Sequence, residues 1–245
     1  MNRTVRIWLF AIGALAIGTC LVIAFVGMPS FGSTFHPYRD MAIRAAVHHA
    51  TANAVGSVNF DQRSLDTLGE EIILLASVVG VAALLRPAGD ERESGPSPHA
   101  RVLEPTRLLG YVMLPLVLVI GADVVTHGHV TPGGGFQGGV VVASGVHLLY
   151  VAGSYRALER LRPIPLFEAG EALGAAAFAC IGIVGVVSAS AFLLNTIGQG
   201  SFGGLFSAGT IPLLNGAVGL EVASGIIVLI AKFLDQAILL GGRGP

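Results

Sequence analysis

Charge is scarce in this chain, and the scarcity excludes whole classes of function. Only 12% of the 245 residues are Asp, Glu, Lys or Arg, and 15 acidic against 14 basic side chains leave a formal net charge of -1. That balance provides neither a basic stripe nor an aromatic-basic interleave, so no nucleic acid and no acidic soluble partner is expected. Cysteine is nearly absent too. Cys20 and Cys180 stand far apart in apolar stretches, which argues against a disulfide or metal role and assigns both to packing. What the chain has in excess is apolar surface: 53% hydrophobic residues and a mean hydropathy of +0.76 describe a protein whose solvent is mostly lipid. Function must then be read from what interrupts the apolar sequence.

A bilayer core about 30 Å thick needs roughly 20 mostly apolar residues per helix. Six segments qualify, near 7–27, 68–85, 108–126, 135–153, 169–197 and 211–233, and the expected fold is an all-α integral membrane protein. The first apolar run exceeds the roughly 7 to 15 residues of a signal core and is expected to be retained. Eleven of the 14 Lys and Arg fall at the amino end, in the second-to-third and fourth-to-fifth loops and in the tail, so both termini are expected on the cytoplasmic side. The opposite side carries Arg39, Arg44 and Arg63, all in one long loop.

The stretch 86–99 concentrates charge, proline and small polar residues and reads as a cytoplasmic linker. It divides the chain into a two-span unit, 1–86, a linker, 87–103, and a four-span unit, 104–245. Within the 28–67 loop, 41–55 is mildly amphipathic. His48 and His49 are adjacent and point to different helix faces, which favours a solvated or interfacial pair over a metal pair.

Ionisable groups inside a span cost several kcal/mol unless paired or hydrated, so each is a candidate for ion handling. They are Glu70, Glu71, Asp123, His147, Glu171 and Glu221. Bland alternatives stand beside them. Glu70 with Glu71, and Glu168 with Glu171, would also complement the positive end of a helix dipole. Asp123 and His127, four apart, share a helix face and suit a cap or an ion pair. His147 fits a core histidine bonded to a neighbouring helix. Glu221 is hardest to dismiss, because apolar or small residues flank it on both sides, Asn215 excepted.

The densest irregularity runs from His127 to Gly139, HGHVTPGGGFQGG. A phosphate cradle would need Lys with Ser or Thr after the glycines and a strand before them, and neither is present. A metal site on His127 and His129 lacks a third ligand at helical spacing, so no metal is expected. A tight membrane hairpin fits best: Pro132 stops one element, Gly133 and Gly134 permit unusual backbone angles, and Gly135, Gly138 and Gly139 present a small face for close helix packing beside Phe136. Its unpaired backbone groups would be able to line a hydrated cavity. The glycine-rich 198–209 segment is expected on the same, outer side.

This run, with Asp123 before it and a small-residue helix after it, closely resembles the signature of the MrpB (MnhB) family, membrane subunits of multisubunit Mrp-type Na+/H+ antiporters. The resemblance covers about 104–238 and includes the later Asn-Thr-Ile-Gly-Gln-Gly-Ser-Phe and Pro-Leu-Leu-Asn-Gly stretches. Residues 60–85, with Asp66-Thr67-Leu68-Gly69-Glu70, resemble the carboxy-terminal end of MrpA, the large component of such antiporters, and the small MbhE-like subunit of related membrane hydrogenases. The resemblance implies a natural fusion of the two modules in the cell membrane, working among large antiporter-like and small membrane subunits. It implies a part in Na+ and H+ translocation, with Glu70 and the glycine run as the matching positions. It implies no enzyme activity and no cofactor. A purely structural scaffold, or a membrane subunit of a redox-driven complex of the hydrogenase type, are the alternatives.

Overall fold

The computed structural model describes residues 3–28, 32, 34–85, 102–152, 158 and 160–241, so positions 87–101 of the expected linker lie outside the described residues. The described residues are helical, with no strand among them. The chain forms two compact units, Met1–Arg39 and Asp40–Pro245. In the first, α1 (Arg3–Val26) is a 24-residue helix whose apolar side chains, Phe10, Leu15 and Phe25 among them, are exposed.

The remaining helices are α2 (Pro37–His48), α3 (Ala54–Ser57), α4 (Ser64–Leu84), α5 (Glu104–Thr126), α6 (Gly135–Val151), α7 (Ile164–Ala189) and α8 (Ile211–Gly241). A π-helical turn, Val58–Gln62, follows α3 directly. Four helices, in α4, α5, α7 and α8, are long and apolar enough to cross a membrane; α6, at 17 residues, and the 10–26 part of α1 are shorter apolar helices. By the usual rise α6 is about 26 Å long, slightly under the hydrocarbon thickness.

The second unit is organised around α8. It packs against α4, α5, α6 and α7, and Ile211, Leu214, Val218, Val222, Ile227, Val228 and Ala231 along it are buried. A helix that is apolar on all sides belongs in the middle of a bundle, and the periphery is left to helices with one buried stripe. Small residues set the spacing. A Cβ on Gly138 would stand 2.7 Å from the Gly121 carbonyl of α5, and one on Gly139 would stand 2.9 Å from the Gly219 carbonyl of α8. A Cβ on Gly174 of α7 would stand 2.7 Å from the amide nitrogen of Glu221. Bulk at any of these sites would drive the helices apart.

Three expectations are corrected here. The fifth apolar helix begins at Ile164 and ends at Ala189, not at 169 and 197, because Pro163 and Pro165 suit its first turn and Ser190 adopts a left-handed conformation that ends it. Cys20 and Cys180 are free and exposed, so neither packs in the interior. The helix-dipole readings fail as well: α4 begins at Ser64 with Asp66 in its first turn, and α7 has no acid in its first turn, so Glu70, Glu71, Glu168 and Glu171 all lie beyond the reach of those ends.

Candidate functional site

The glycine run closes the turn between α5 and α6 by using up its own polar groups. After Thr126 the chain doubles back, with the amides of Val130 and Thr131 both donating to the His127 carbonyl at 2.8 Å and Gly134 N donating to Val124 O at 3.2 Å. Gly133 (φ 151°) and Gly134 (φ 138°) occupy angles that side chains with a Cβ rarely adopt. Two asparagines clamp the turn from outside. Asn53 donates its side-chain amide to Gly128 O at 2.7 Å and to Thr131 O at 3.0 Å, and its main-chain N–H to His129 O at 3.0 Å. Asn215 of α8 accepts the Gly135 N–H on Oδ1 at 2.8 Å and so caps α6.

His129 is fully buried, and its Nε2 donates to Leu205 O at 3.0 Å, which joins the hairpin to the 198–209 segment. Its Nδ1 is buried without a partner. Burial therefore pushes this imidazole below its ordinary value, since the protonated ring would hide an N–H with no acceptor. His127 is different: it lies half-exposed at the end of α5, with Nδ1 2.9 Å from an Asp123 carboxylate oxygen. Asp123 thus lies at the surface in a local contact with His127. Pro132 is exposed at the turn, and Phe136 is partly exposed at the start of α6.

Beneath the hairpin three carboxylates converge from three helices. Glu71 of α4, Glu171 of α7 and Glu221 of α8 are all buried, at 2%, 4% and 0% exposure. Glu221 acts electrostatically on both Glu71 and Glu171. Glu71 and Glu221 have each other as side-chain hydrogen-bond partners, which takes a shared proton, and neither carboxylate receives an N–H or hydroxyl hydrogen from any other group; one oxygen of Glu171 is buried without a partner. α4 and α8 enter at the hairpin end, whereas α7 enters at the opposite end. From the helix rise, Glu71 and Glu221 then lie about 10 and 15 Å below the hairpin end, and Glu171 about 10 Å from the other. Glu168, which acts on Glu171, closes that far end in an ion pair with Lys232 at 3.5 Å.

A cavity of about 170 Å³ connects the two features. It is lined by Asn59, Thr67, Glu70 and Glu71 on one side and by Gly133 to Gln137 on the other. The two stretches singled out in the sequence, 66–71 and the glycine run, thus face one space. Of the doubled acid, Glu71 is interior and Glu70 exposed, so the burial argument applies to Glu71.

His147 stays apart from this column in its bonding: its Nδ1 donates to Ala143 O of its own helix at 2.7 Å, not to a neighbouring helix. His49 pairs with the carboxylate of Asp61, which draws α2 against the π-helical turn and gives the second histidine of the pair a structural partner. Sequence reasoning missed Asn53 and Asp61 altogether. It noted Asn215 only as an exception, although a lone amide in an apolar span is itself a signal.

The family described as a domain related to the MnhB subunit of Na+/H+ antiporter matches residues 105–228. An uncharacterized protein of Methanocaldococcus jannaschii is 31% identical over 207 residues, covering 73% of this chain and 76% of that protein. A probable K(+)/H(+) antiporter A/B subunit of Rhizobium meliloti is 32% identical over 190 residues, 67% of this chain but 18% of that longer protein. Among solved structures, a chain of the membrane-bound sulfane sulfur reductase, an archaeal respiratory membrane complex, superposes with a TM-score of 0.68 at 26% identity, covering 94% of this chain and 98% of its own. A chain of the Mrp complex from Dietzia sp. superposes with a TM-score of 0.67 at 25% identity, covering 95% of this chain and 26% of its own. The protein is a multi-pass membrane protein.

Proposed function

We infer that this chain, which belongs to the family of domains related to the MnhB subunit of Na+/H+ antiporters, forms part of the ion path of a multisubunit monovalent cation/proton antiporter. The observation that carries the reading is the column of Glu71, Glu221 and Glu171. Buried carboxylates with only another carboxylate, or nothing, to bond are expensive, and a subunit that merely held its neighbours together would be more stable without them. In a membrane such groups are retained where ions or protons pass.

In this reading the six apolar helices α1 and α4 to α8 all cross the bilayer with both termini in the cytoplasm, as the distribution of Lys and Arg suggests. The hairpin and its cavity then open outward, Glu71 receives the ion, Glu221 passes it on, and Glu171 with the Glu168–Lys232 pair forms the cytoplasmic end. The 1–86 and 104–245 stretches act as two fused modules, the first resembling MbhE-like subunits, whose α4 supplies Glu71 to a column otherwise built by the second. Larger antiporter-like subunits complete the machine, because this chain spans only 18% of its Rhizobium meliloti relative and 26% of the Dietzia chain.

Glu71→Gln and Glu221→Gln test the path, since the amide keeps size and packing but can neither ionise nor release a proton at neutral pH. Both complexes are expected to assemble on native gels. Na+-dependent pH change in membrane vesicles should fall about tenfold or more, equivalent to roughly 1.4 kcal/mol in the barrier. Normal transport in both variants would leave a scaffold.

A further inference from the structure

We propose that the cavity between α4 and the glycine hairpin binds one partly hydrated monovalent cation, with Glu71 as its only buried carboxylate ligand. This rests on the ion-path reading and goes beyond it by assigning a resting site and its ligands. The cavity holds about 170 Å³. A water occupies about 30 Å³ of liquid, so the space suits a cation with a few of its waters.

The polar atoms around it favour a cation over an anion. Three N–H groups at the turn are committed elsewhere: Gly134 N donates to Val124 O, Gly135 N to Asn215 Oδ1, and Gly138 N to Gly134 O. The only charged side chains in the lining are the acids Glu70 and Glu71, which repel an anion. Oxygens remain. Thr67 Oγ1 gives its hydrogen to Asn59 O at 2.7 Å, which leaves the hydroxyl oxygen free to accept. Gln137 Oε1 lies over Gly134, where a Cβ would stand 3.3 Å from it. Glu71, 2% exposed, lines the cavity, and its carboxylate meets only another carboxylate, that of Glu221.

The charge count favours a single positive charge. Divalent ions take several carboxylates or a rigid octahedron, and no group of three His, Cys, Asp or Glu with metal-holding geometry exists among the described residues. The groups that act on Glu71 are Glu221 from α8 and Glu70 from its own helix, both acidic. A proton and a metal cation therefore compete for one carboxylate, and Na+ binding weakens as the medium is acidified.

The test is equilibrium binding of radiolabelled Na+ to the intact complex in nanodiscs at alkaline pH, with choline as the inert counterpart and K+ and Li+ as competitors. Glu71→Gln is expected to lower Na+ affinity about tenfold or more. Thr67→Val and Gln137→Leu should lower it by smaller factors, Thr67→Ser should restore it, and Glu104→Gln, outside the cavity lining, should leave it within about twofold. Should Glu71→Gln fail to assemble, the threonine and glutamine variants decide the question. Absence of saturable Na+ binding in the unsubstituted complex overturns the site. So does unchanged affinity in an assembled Glu71→Gln complex, or in Thr67→Val and Gln137→Leu together. Two further outcomes separate the site from the path. If Glu221→Gln abolishes antiport in a complex that binds no Na+, the site falls and the path stands. If Glu71→Gln loses Na+ binding yet transports normally, the path falls and the site stands.

Discussion

The glycine hairpin and the carboxylate column share one cavity and treat their polar groups in opposite ways. In the hairpin many backbone groups find a partner within a few residues or from Asn53 or Asn215, and the His129 ring bonds Leu205 O. In the column, Glu71 and Glu221 have only each other and one oxygen of Glu171 has nothing. The hairpin has the economy of a structural joint, in which each unmet hydrogen bond would cost about 1–3 kcal/mol. The column tolerates that loss repeatedly on three separate helices. Buried charge concentrated in one place beside a turn tied down by hydrogen bonds marks the column, and not the hairpin, as the working part.

The contrast can be broken most forcefully from the hairpin side. Gly135→Leu places a side chain where even a Cβ would stand 2.7 Å from Val218 Cβ, against the backbone of α8, and overpacking of that kind should cost about 3 kcal/mol or more. Thermal unfolding and native-gel assembly should both register it. A variant that assembled with unchanged stability would show that α6 and α8 are not pinned together at this point.

Glu221→Met sharpens the contrast from the other side. If the carboxylate serves transport at the expense of stability, an apolar side chain of similar volume should leave the protein equally stable or more stable by about 1–4 kcal/mol, while antiport is lost. Loss of stability would instead make Glu221 part of the framework. The smallest effect belongs to His129. Burial lowers its value, so the neutral ring's contribution is fully present above the ordinary histidine range near 6.5 and is lost as pH falls below it, where the unfolded chain takes up a proton that the folded one resists. The unfolding temperature should drop on acidification from pH 7.5 to 5, and His129→Gln should flatten part of that slope.

Much of this arrangement was legible in the chain. Apolar length located α1 and α4 to α8, and Pro132 with the glycines after it marked the turn between α5 and α6. The conspicuous run 127–139 did prove to be a tight turn with a small packing face. Other features escaped because they depend on partners distant in sequence. Asn53 contacts residues some 75 positions away, and nothing in its neighbourhood announces that. His147 looked like a bridge between helices, yet a helix always offers the carbonyl four residues back, and in apolar surroundings the local acceptor won. The doubled acid was ambiguous for a geometric reason: consecutive helical residues point about 100° apart, so only the position of α8 decides which of Glu70 and Glu71 faces inward.

The amino-acid sequence by itself determined that this protein lives in a membrane, where its helices run, and where the backbone must bend sharply. Those outcomes follow from burying apolar side chains and from the backbone angles open to glycine and proline, which are local properties of the chain. Only the tertiary structure decided that Glu71, Glu171 and Glu221 meet, that Glu70 does not join them, and that the hairpin walls one side of their cavity. A side chain's charge is written in the sequence, but its neighbours are set by which helices pack and how closely. Here the glycines at 135, 138, 139 and 174 let the helices approach until the three carboxylates stand together.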